Sequence, residues 1–204
     1  MAKRLVAAAL LLAACGQSSA EQARPRPAHT QTAIFAGGCF WSAERDIEAV
    51  PGVVGAVSGY TGGRVANPSY EQVVRGGTGH VEAVRVTFDP ARISFAALVH
   101  RFFRTIDPTD GGGQFCDRGE SYHTAIFVLN PAQARVAAAE KADANRVLRG
   151  RVVTPIRAAA PFWPAEAYHQ DYARRNPVSY GLYRRGCGKD DRLRAVWGAE
   201  AAAH

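Results

Sequence analysis

The spacing of apolar residues is the feature that most restricts the fold of this 204-residue chain. In some segments apolar and polar residues alternate, as in strands, and in others apolar residues recur every three or four positions, as in helices. Residues 80–88 (HVEAVRVTF) are a clear alternating segment, and residues 94–104 form a clear helix that Ser94 caps. The buried side of that helix is predicted to consist of Phe95, Leu98, Val99, Phe102 and Phe103.

The order of such segments indicates an α+β fold. The elements run strand, helix, strand, strand, helix, strand, at residues 32–36, 39–50, 53–60, 80–88, 94–104 and 124–129. This order resembles the split βαβ, or ferredoxin-like, plait. We therefore expect a two-layer sandwich in which added strands extend a mixed sheet, helices cover one face and loops cover the other.

The remainder of the chain adds three predicted elements and a tail. An Ala-rich helix begins at Asn130-Pro131 and ends near Leu148, residues 152–154 are a last strand, and residues 165–175 are a further helix. No regular period continues after Pro177, so an irregular C-terminal tail is expected from about this residue. Residues 31–204 are then one catalytic domain of ordinary size.

The first thirty residues are predicted to lie outside this domain. An apolar run at residues 5–12 follows Lys3 and Arg4 and is too short to cross a hydrocarbon core of about 30 Å, so residues 1–14 resemble a secretory signal. The sequence Leu-Ala-Ala-Cys ending at Cys15 resembles a bacterial lipobox, in which the cysteine is lipidated. Conventional signal cleavage is the alternative. Residues 15–30 are polar and are predicted to form a disordered tether.

These features predict a lipid-anchored protein on the periplasmic side of the cell envelope, with a soluble periplasmic protein as the alternative. Gly16 after Cys15 favours the outer membrane over the inner membrane. The formal net charge is +7, but the arginines are spread along the chain and no nucleic-acid-binding motif accompanies them. We therefore expect no nucleic acid partner, a membrane contact through the anchor, and a monomer.

Three cysteines remain after Cys15, namely Cys39, Cys116 and Cys187. An odd number of cysteines in an oxidising compartment does not suit a scaffold stapled by disulfides, and it indicates thiol redox chemistry instead. We expect one sulfur to pair conditionally with another. No cluster of cysteines and carboxylates has the spacing of metal ligands, so no metal is expected.

Cys39 stands between a predicted strand, two glycines and the start of a helix. Unpaired amides and the helix dipole at such a position are expected to lower the pKa of a thiol. Phe40 and Trp41 follow directly, as an apolar wall beside a nucleophile would. On spacing alone, a buried structural cysteine among core aromatic residues is an equally good interpretation.

The surrounding motifs resemble those of the A-type peptide methionine sulfoxide reductases. The resemblance covers nearly the whole domain, from about Ala33 to Gly198, and six motifs occur in the family's order. They are GGCFWSAE at 37–44, SGYTGG at 58–63, NPSY at 67–70, GHVEAV at 79–84, DRG at 117–119 with Tyr122, and AEAYHQDY at 165–172.

The resemblance implies a role for each matched residue. Cys39 would attack the sulfoxide sulfur, and Glu82 would protonate the sulfoxide oxygen, provided that an apolar pocket raises its pKa. The hydroxyls of Tyr60 and Tyr122 would hydrogen-bond that oxygen, and Asp117 would support them. The substrate's methyl group would lie against Phe40 and Trp41.

The resemblance also implies how the enzyme is recycled. Reaction would leave Cys39 as a sulfenic acid, and Cys187, between two glycines, would condense with it to a disulfide. A thioredoxin-like dithiol would then reduce that disulfide, with no organic cofactor. Cys116 is either an alternative resolving thiol or a packed pocket residue, and we favour packing. The expected substrates are methionine-S-sulfoxide residues of oxidised proteins and the free amino acid.

Some residues depart from the family's usual pattern. Ser42, the segment 114–116 and the segment 121–123 differ from the common residues near the pocket, which bears on substrate preference. His169 and Asp171 are interpreted as structural hydrogen-bonding residues rather than as an acid–base pair. A thiol peroxidase and a binding protein for oxidised methionine are the alternative functions.

Overall fold

The computed structural model describes residues 29–201. The predictions of a signal at residues 1–14 and of lipidation at Cys15 lie outside the described residues, as does nearly all of the tether. Within the described range, no helix combines the length and the apolar character needed to span a bilayer.

Regular elements occupy most of the described range. The strands are β1 (Gln31–Gly37), β2 (Val53–Thr61), β3 (Val81–Phe88), β4 (Gly113–Gln114), β5 (Asp117–Arg118), β6 (Thr124–Val128), β7 (Ile156–Ala158) and β8 (Trp163–Pro164). The α-helices are α1 (Phe40–Glu48), α2 (Tyr70–Arg75), α3 (Phe95–Arg104), α4 (Pro131–Val147), α5 (Tyr172–Arg175), α6 (Pro177–Gly186) and α7 (Lys189–Trp197). Two 3-10 turns cover Glu120–Tyr122 and Gly198–Glu200.

Six of the strands form one sheet in the order β7-β6-β1-β3-β2-β8. Each neighbouring pair is antiparallel except β6 and β7, which are parallel. The strands β4 and β5 pair separately as a short hairpin. The prediction of an α+β fold with a mixed central sheet is confirmed.

The two faces of the sheet pack differently. In β1, Phe35 faces the main core formed with the helices and stacks on Phe102 of α3 with ring centroids 4.5 Å apart. The next residue, Ala36, belongs to a smaller cluster with Phe127 and Phe162, and Phe162 lies in the loop before β8. Burial of one such phenylalanine contributes roughly 1.5–3 kcal/mol. Helices therefore cover one face and a loop contributes to the other, as expected.

The prediction of an irregular C-terminal tail is wrong, because α6 and α7 fill most of this segment. Pro177 starts α6 at a position that needs no amide donor. Tyr180 and Arg184, one turn apart, are buried on α6, and Lys189 is buried at the start of α7. The pattern was hidden because two of these three residues carry charges, and apolar periodicity does not count charged residues.

Two smaller predictions also need correction. Residues 152–154 do not form the predicted strand, and the strands that follow the Ala-rich helix are β7, which pairs with β6, and β8, which pairs with β2. Thr154 is nevertheless buried, and its hydroxyl lies 2.9 Å from that of Thr124. Of the helix predicted at 165–175, only α5 is regular. Asp171, just before α5, has a φ of +53°, a left-handed conformation that cannot continue a helix from the preceding residues.

Candidate active site at Cys39

Cys39 lies at the junction between strand β1 and helix α1. It is the N-cap residue of α1, and its carbonyl oxygen accepts hydrogen bonds from the amides of Ser42 and Ala43 at 3.1 and 3.2 Å. Gly38 before it has a φ of +79°, and a Cβ atom there would lie 2.5 Å from the Cβ of Gln114. Glycine alone satisfies both constraints without strain. The predicted strand, glycine turn and helix around Cys39 are therefore confirmed.

Glu82 of β3 brings a buried carboxyl group to the start of α1. Its side chain is 1% exposed, and its Oε2 accepts a hydrogen bond from the amide of Phe40 at 2.9 Å. Burial raises the pKa of Glu82 to about 8; the Phe40 amide opposes this rise, and the nearby Asp117 adds to it. The carboxyl therefore keeps its proton at neutral pH. Glu82 could act as a proton donor only if its surroundings raised its pKa, and the structure shows such surroundings.

Cys39 is a free, half-buried thiol. Burial raises its pKa well above the ordinary value, and the charges of Glu82 and Asp117 raise it further. The interaction with the Tyr183 hydroxyl and the hydrogen bond from the Trp41 amide oppose the rise. The expectation of a lowered pKa is wrong for this resting site, because burial and two carboxyl groups outweigh the helix start. The resting thiol is protonated.

The two predicted tyrosine hydroxyls have different partners. Tyr60 of β2 is fully buried and pairs with Glu82 across the sheet, but its hydroxyl donates to Oε2 of Glu166 at 2.8 Å. The other oxygen of Glu166 accepts from the amide of Tyr70 at 2.9 Å. Tyr122 is half-buried; burial raises its pKa, and the neighbouring charge of Glu82 contributes. Glu166 thus belongs to the site. It lies in the motif at 165–172, but the sequence alone did not indicate a role for it.

Tyr183 of α6 connects Asp117 with the thiol of Cys39 and was not singled out from the sequence. Its hydroxyl donates to Oδ2 of Asp117 at 2.5 Å and also interacts with the thiol of Cys39. Burial raises the pKa of Asp117, and the hydrogen bond from Tyr183 opposes this. The only available signal for Tyr183 was its position one helical turn before Cys187, in a segment that was not predicted to be helical.

Aromatic rings enclose the site on one side. Trp41 stacks on Tyr172 with centroids 3.7 Å apart and meets Tyr183 edge-on at 5.9 Å. Its indole Nε1 donates to Nδ1 of His169 at 3.0 Å. The ring of Phe40 lies 4.9 Å from that of His169. The rings of Phe40 and Trp41 are thus held in place beside Cys39.

The structural interpretation of His169 and Asp171 agrees with their contacts. His169 is buried and accepts the indole hydrogen bond of Trp41. The amide of Asp171 donates to Glu44 at 2.9 Å, and its carboxylate pairs with Arg174 at 2.7 Å. Both residues therefore order the segment before α5.

Cys116 and Cys187 form a disulfide with Cα atoms 4.8 Å apart, across 71 residues of sequence. The prediction that Cys116 is merely a packed residue is wrong, because its sulfur is bonded and its residue is exposed. The predicted pairing of Cys187 with Cys39 is not the pairing of this state, in which Cys39 is free. Cys187 can reach Cys116 because it caps the C-terminal end of α6, beside the β4–β5 hairpin.

Among residues 29–201, one group of side chains has the spacing of possible metal ligands. It comprises Cys116, Asp117 and Cys187, whose ligand atoms lie within 4.8 Å of one another. Two of these atoms are the sulfurs of the disulfide, so the group cannot bind a metal in this state.

Comparison with known proteins identifies the family. Residues 31–201 match the family model for peptide methionine sulfoxide reductase. The chain is 56% identical over 178 residues to the enzyme MsrA 2 of Rhizobium meliloti, covering 87% of this chain and 89% of that protein. It is 49% identical to MsrA 2 of Caulobacter vibrioides, over 97% of this chain and all of that one.

Solved structures agree with this assignment. Reduced Mxr1 of Saccharomyces cerevisiae superposes with a TM-score of 0.71 at 29% identity, covering 74% of this chain and 88% of that one. Methionine sulfoxide reductase A of Corynebacterium diphtheriae superposes with a TM-score of 0.66 at 30% identity, covering 75% and 78%. The fold, the site and the sequence matches converge, and the chain belongs to the peptide methionine sulfoxide reductase family.

Proposed function

We propose that Cys39 is the nucleophile with which this oxidoreductase reduces methionine-S-sulfoxide, both free and in oxidised proteins. The observation that carries the proposal is the pairing of a free thiol with a buried carboxyl group that keeps its proton at neutral pH. Glu82 has a pKa of about 8 and is fixed against the first amide of the helix that Cys39 caps. A nucleophile and an acid therefore stand at the same helix end.

The reaction needs one proton on the oxygen and one electron pair from sulfur. Oε2 of Glu82 accepts from Phe40, so Oε1 is the oxygen that can carry the acidic proton. As the thiol of Cys39 attacks the sulfoxide sulfur, Glu82 gives its proton to the sulfoxide oxygen, and the proton of the thiol passes to the carboxylate that Glu82 becomes. The oxygen then passes to Cys39, which becomes a sulfenic acid, and methionine leaves. The substrate sulfur is reduced and the Cys39 sulfur is oxidised by the same two electrons.

The hydroxyl groups would support the oxygen as it gains charge. Burial raises the pKa of Tyr122, and the ionised forms of Glu82 and Cys39 nearby would raise it further, so its hydroxyl keeps a proton that it can donate. Tyr60 donates its single proton to Glu166 in this state. It can therefore donate to substrate only after that bond is exchanged.

Substrate choice would come from the aromatic rings and from Asp117. The Trp41 ring is fixed by stacking on Tyr172 and by its bond to His169, so with Phe40 it offers a rigid apolar surface for a methyl group. A rigid apolar wall beside buried donors selects a group with one methyl and one oxygen. A sulfoxide has this combination, and because the wall and the donors form a chiral arrangement they can distinguish its two epimers, of which the family resemblance implies the S form. Asp117, held by Tyr183, would fix the hydroxyls nearby.

Recycling would use both remaining cysteines. The thiol of Cys187 condenses with the sulfenic acid of Cys39, which forms a disulfide and releases water. The thiolate of Cys116 then attacks Cys187, freeing Cys39 and leaving the Cys116–Cys187 disulfide. A free Cys39 beside a Cys116–Cys187 bond, the state described above, is the end point of this sequence. Cys116 is exposed, so a thioredoxin-like dithiol can reach it and reduce the bond by exchange.

The scaffold and the location complete the proposal. The four strands β6-β1-β3-β2, antiparallel throughout, support a ferredoxin-like plait as the platform for Cys39 and Glu82.

We place the enzyme on a lipid anchor at Cys15 in the periplasm, on the lipobox pattern alone. A Cys15→Ser protein that stays in the membrane fraction would rule out that anchor.

The direct test is turnover of methionine-S-sulfoxide with dithiothreitol as reductant. The native protein is expected to release methionine, and Cys39→Ser to lose this activity. Full activity in Cys39→Ser would show that another residue is the nucleophile.

A further inference from the structure

A buried cluster of charged side chains connects the segment around Cys187 with α1, the helix that begins directly after Cys39. The cluster consists of Asp46 on α1, Arg184 on α6, and Lys189 and Asp190 on α7. Asp46 has no exposed side-chain surface, and the side chains of Arg184 and Lys189 are 7% and 3% exposed. Buried charges cost free energy unless they are closely paired, so their positions are strongly constrained.

Arg184 is the centre of the cluster. Its Nη1 donates to both oxygens of Asp46, at 2.8 and 3.1 Å, and to the hydroxyl of Tyr180 at 2.9 Å. Its Nε and Nη2 donate to Asp190 at 3.0 and 2.6 Å. One guanidinium thereby joins three helices, because its planar fork has donors in several directions.

Lys189 makes a second connection on the other side of Cys187. Its ammonium lies 2.9 Å from Oδ2 of Asp46 and 5.0 Å from the centre of the Phe115 ring, next to Cys116. Cys187 therefore has a tether to Asp46 three residues before it and another two residues after it. Gly186 and Gly188 lie directly beside Cys187, inside these tethers, and Gly188 has a φ of +62°.

We infer that the cluster of Asp46, Arg184, Lys189 and Asp190 is a positioning device for recycling, which keeps Cys187 within reach of both Cys39 and Cys116. The tethers fix the flanks of Cys187, while the two glycines let the cysteine itself move between its partners. Asp46 lies on α1, which begins directly after Cys39, so the same helix locates both sulfurs. This inference rests on the proposed recycling chemistry. It assigns no role in sulfoxide reduction to the cluster.

The matched pair Arg184→Met and Arg185→Met tests this inference. Arg185 lies next to Arg184 on the same helix but is exposed, so its replacement controls for the loss of a cation from α6. Each prereduced enzyme is mixed with methionine-S-sulfoxide without reductant. Methionine and the Cys39–Cys187 and Cys116–Cys187 disulfides are then quantified over time after alkylation. A small displacement of reacting groups is enough to slow a step by tenfold or more.

For Arg184→Met we expect release of the first methionine within about twofold of the native rate, and disulfide formation slowed about tenfold. Steady-state turnover should fall with thioredoxin and much less with dithiothreitol, which reduces the sulfenic acid directly. Arg185→Met should behave like the native enzyme. Equal loss of methionine release and disulfide formation in Arg184→Met would mean a general structural defect and would overturn the inference, as would disulfide formation at the native rate.

Two further comparisons keep the test decisive. If Arg184→Met does not fold, Asp190→Asn weakens the pairing of Arg184 with α7 at a side chain that is 41% exposed, and a selective slowing of disulfide formation is expected. Arg184→Lys keeps the charge but cannot join both carboxylates, so an intermediate rate is expected. If the native enzyme released methionine and formed no disulfide, the proposed recycling would fail and this inference with it. If the native enzyme formed the disulfides and the variants formed them at the same rate, the inference would be overturned while the proposed recycling would stand.

Discussion

Replacement of Glu82 by glutamine is expected to stabilise the fold and to slow the reaction. The change is nearly isosteric, and a glutamine oxygen can still accept the hydrogen bond that the Phe40 amide donates at 2.9 Å. What is lost is the ionisable proton. Stability and activity should therefore change in opposite directions, which is an unusual signature for a buried residue.

The stability change follows from the difference in pKa between the unfolded and folded chains. An unfolded glutamate has a pKa near 4.5, and burial raises that of Glu82 to about 8. Between these pH values the unfolded chain releases a proton that the folded protein keeps, so native stability falls by about 1.4 kcal/mol for each pH unit. The penalty is absent below pH 4.5 and reaches roughly 3 kcal/mol at pH 7. Glu82→Gln removes it.

The activity change follows from the loss of the proton donor. We expect the rate of methionine release in the first turnover to fall by about 10²–10⁴-fold, the range for loss of a general acid. In the native enzyme the same rate should decline as pH rises through about 8, as Glu82 ionises. In Glu82→Gln the small residual rate should lack that decline.

Urea unfolding at pH 5 and pH 7.5, together with quenched-flow assays of methionine release, measures both effects. Glu120→Gln, at an exposed carboxyl, is the control and should leave stability and rate close to native. A Glu82→Gln protein that is less stable than native at pH 7.5, or that keeps the native rate, would refute the reasoning about this carboxyl.

Three other predictions concern recycling, the aromatic wall and the turn. Cys116→Ser should keep dithiothreitol-supported turnover within about twofold but lose most thioredoxin-supported turnover; equal activity with both reductants would exclude Cys116 from recycling. Trp41→Phe leaves a buried acceptor on His169 unpaired, which costs about 1–3 kcal/mol of stability. The same change should raise KM more than it lowers kcat, and an unchanged KM would contradict a role for Trp41 in holding the substrate's methyl group. Gly38→Ala should lower Tm clearly, since its Cβ would lie 2.5 Å from Gln114, and an unchanged Tm would contradict that packing.

The central strands and the position of Cys39 could be predicted because their patterns are local. Phe35 and Ala36 alternate between the faces of β1, and the glycine turn before Cys39 is fixed by backbone geometry. Glu82 could be placed in the sheet from the alternation of its own segment. Its raised pKa depends on burial, which the family resemblance implied and the alternation alone did not.

The C-terminal part could not be predicted because its pattern is carried by charged residues. Arg184 and Lys189 are buried only because Asp46, far away in sequence, supplies a partner. The same is true of Cys116, whose disulfide spans 71 residues. Pairings of this kind depend on the assembled fold, and residue spacing along the chain does not contain them.

The number of methionines released by prereduced enzyme without reductant tests the central claim most directly. If Cys39 reduces the sulfoxide and passes its oxidation to the Cys116–Cys187 pair, the native enzyme should release about two equivalents, because the freed Cys39 reacts once more. Cys116→Ser should release about one equivalent and end as a Cys39–Cys187 disulfide, and Cys39→Ser should release none. A Cys39→Ser protein that still released methionine, or a native enzyme that released none, would contradict the account.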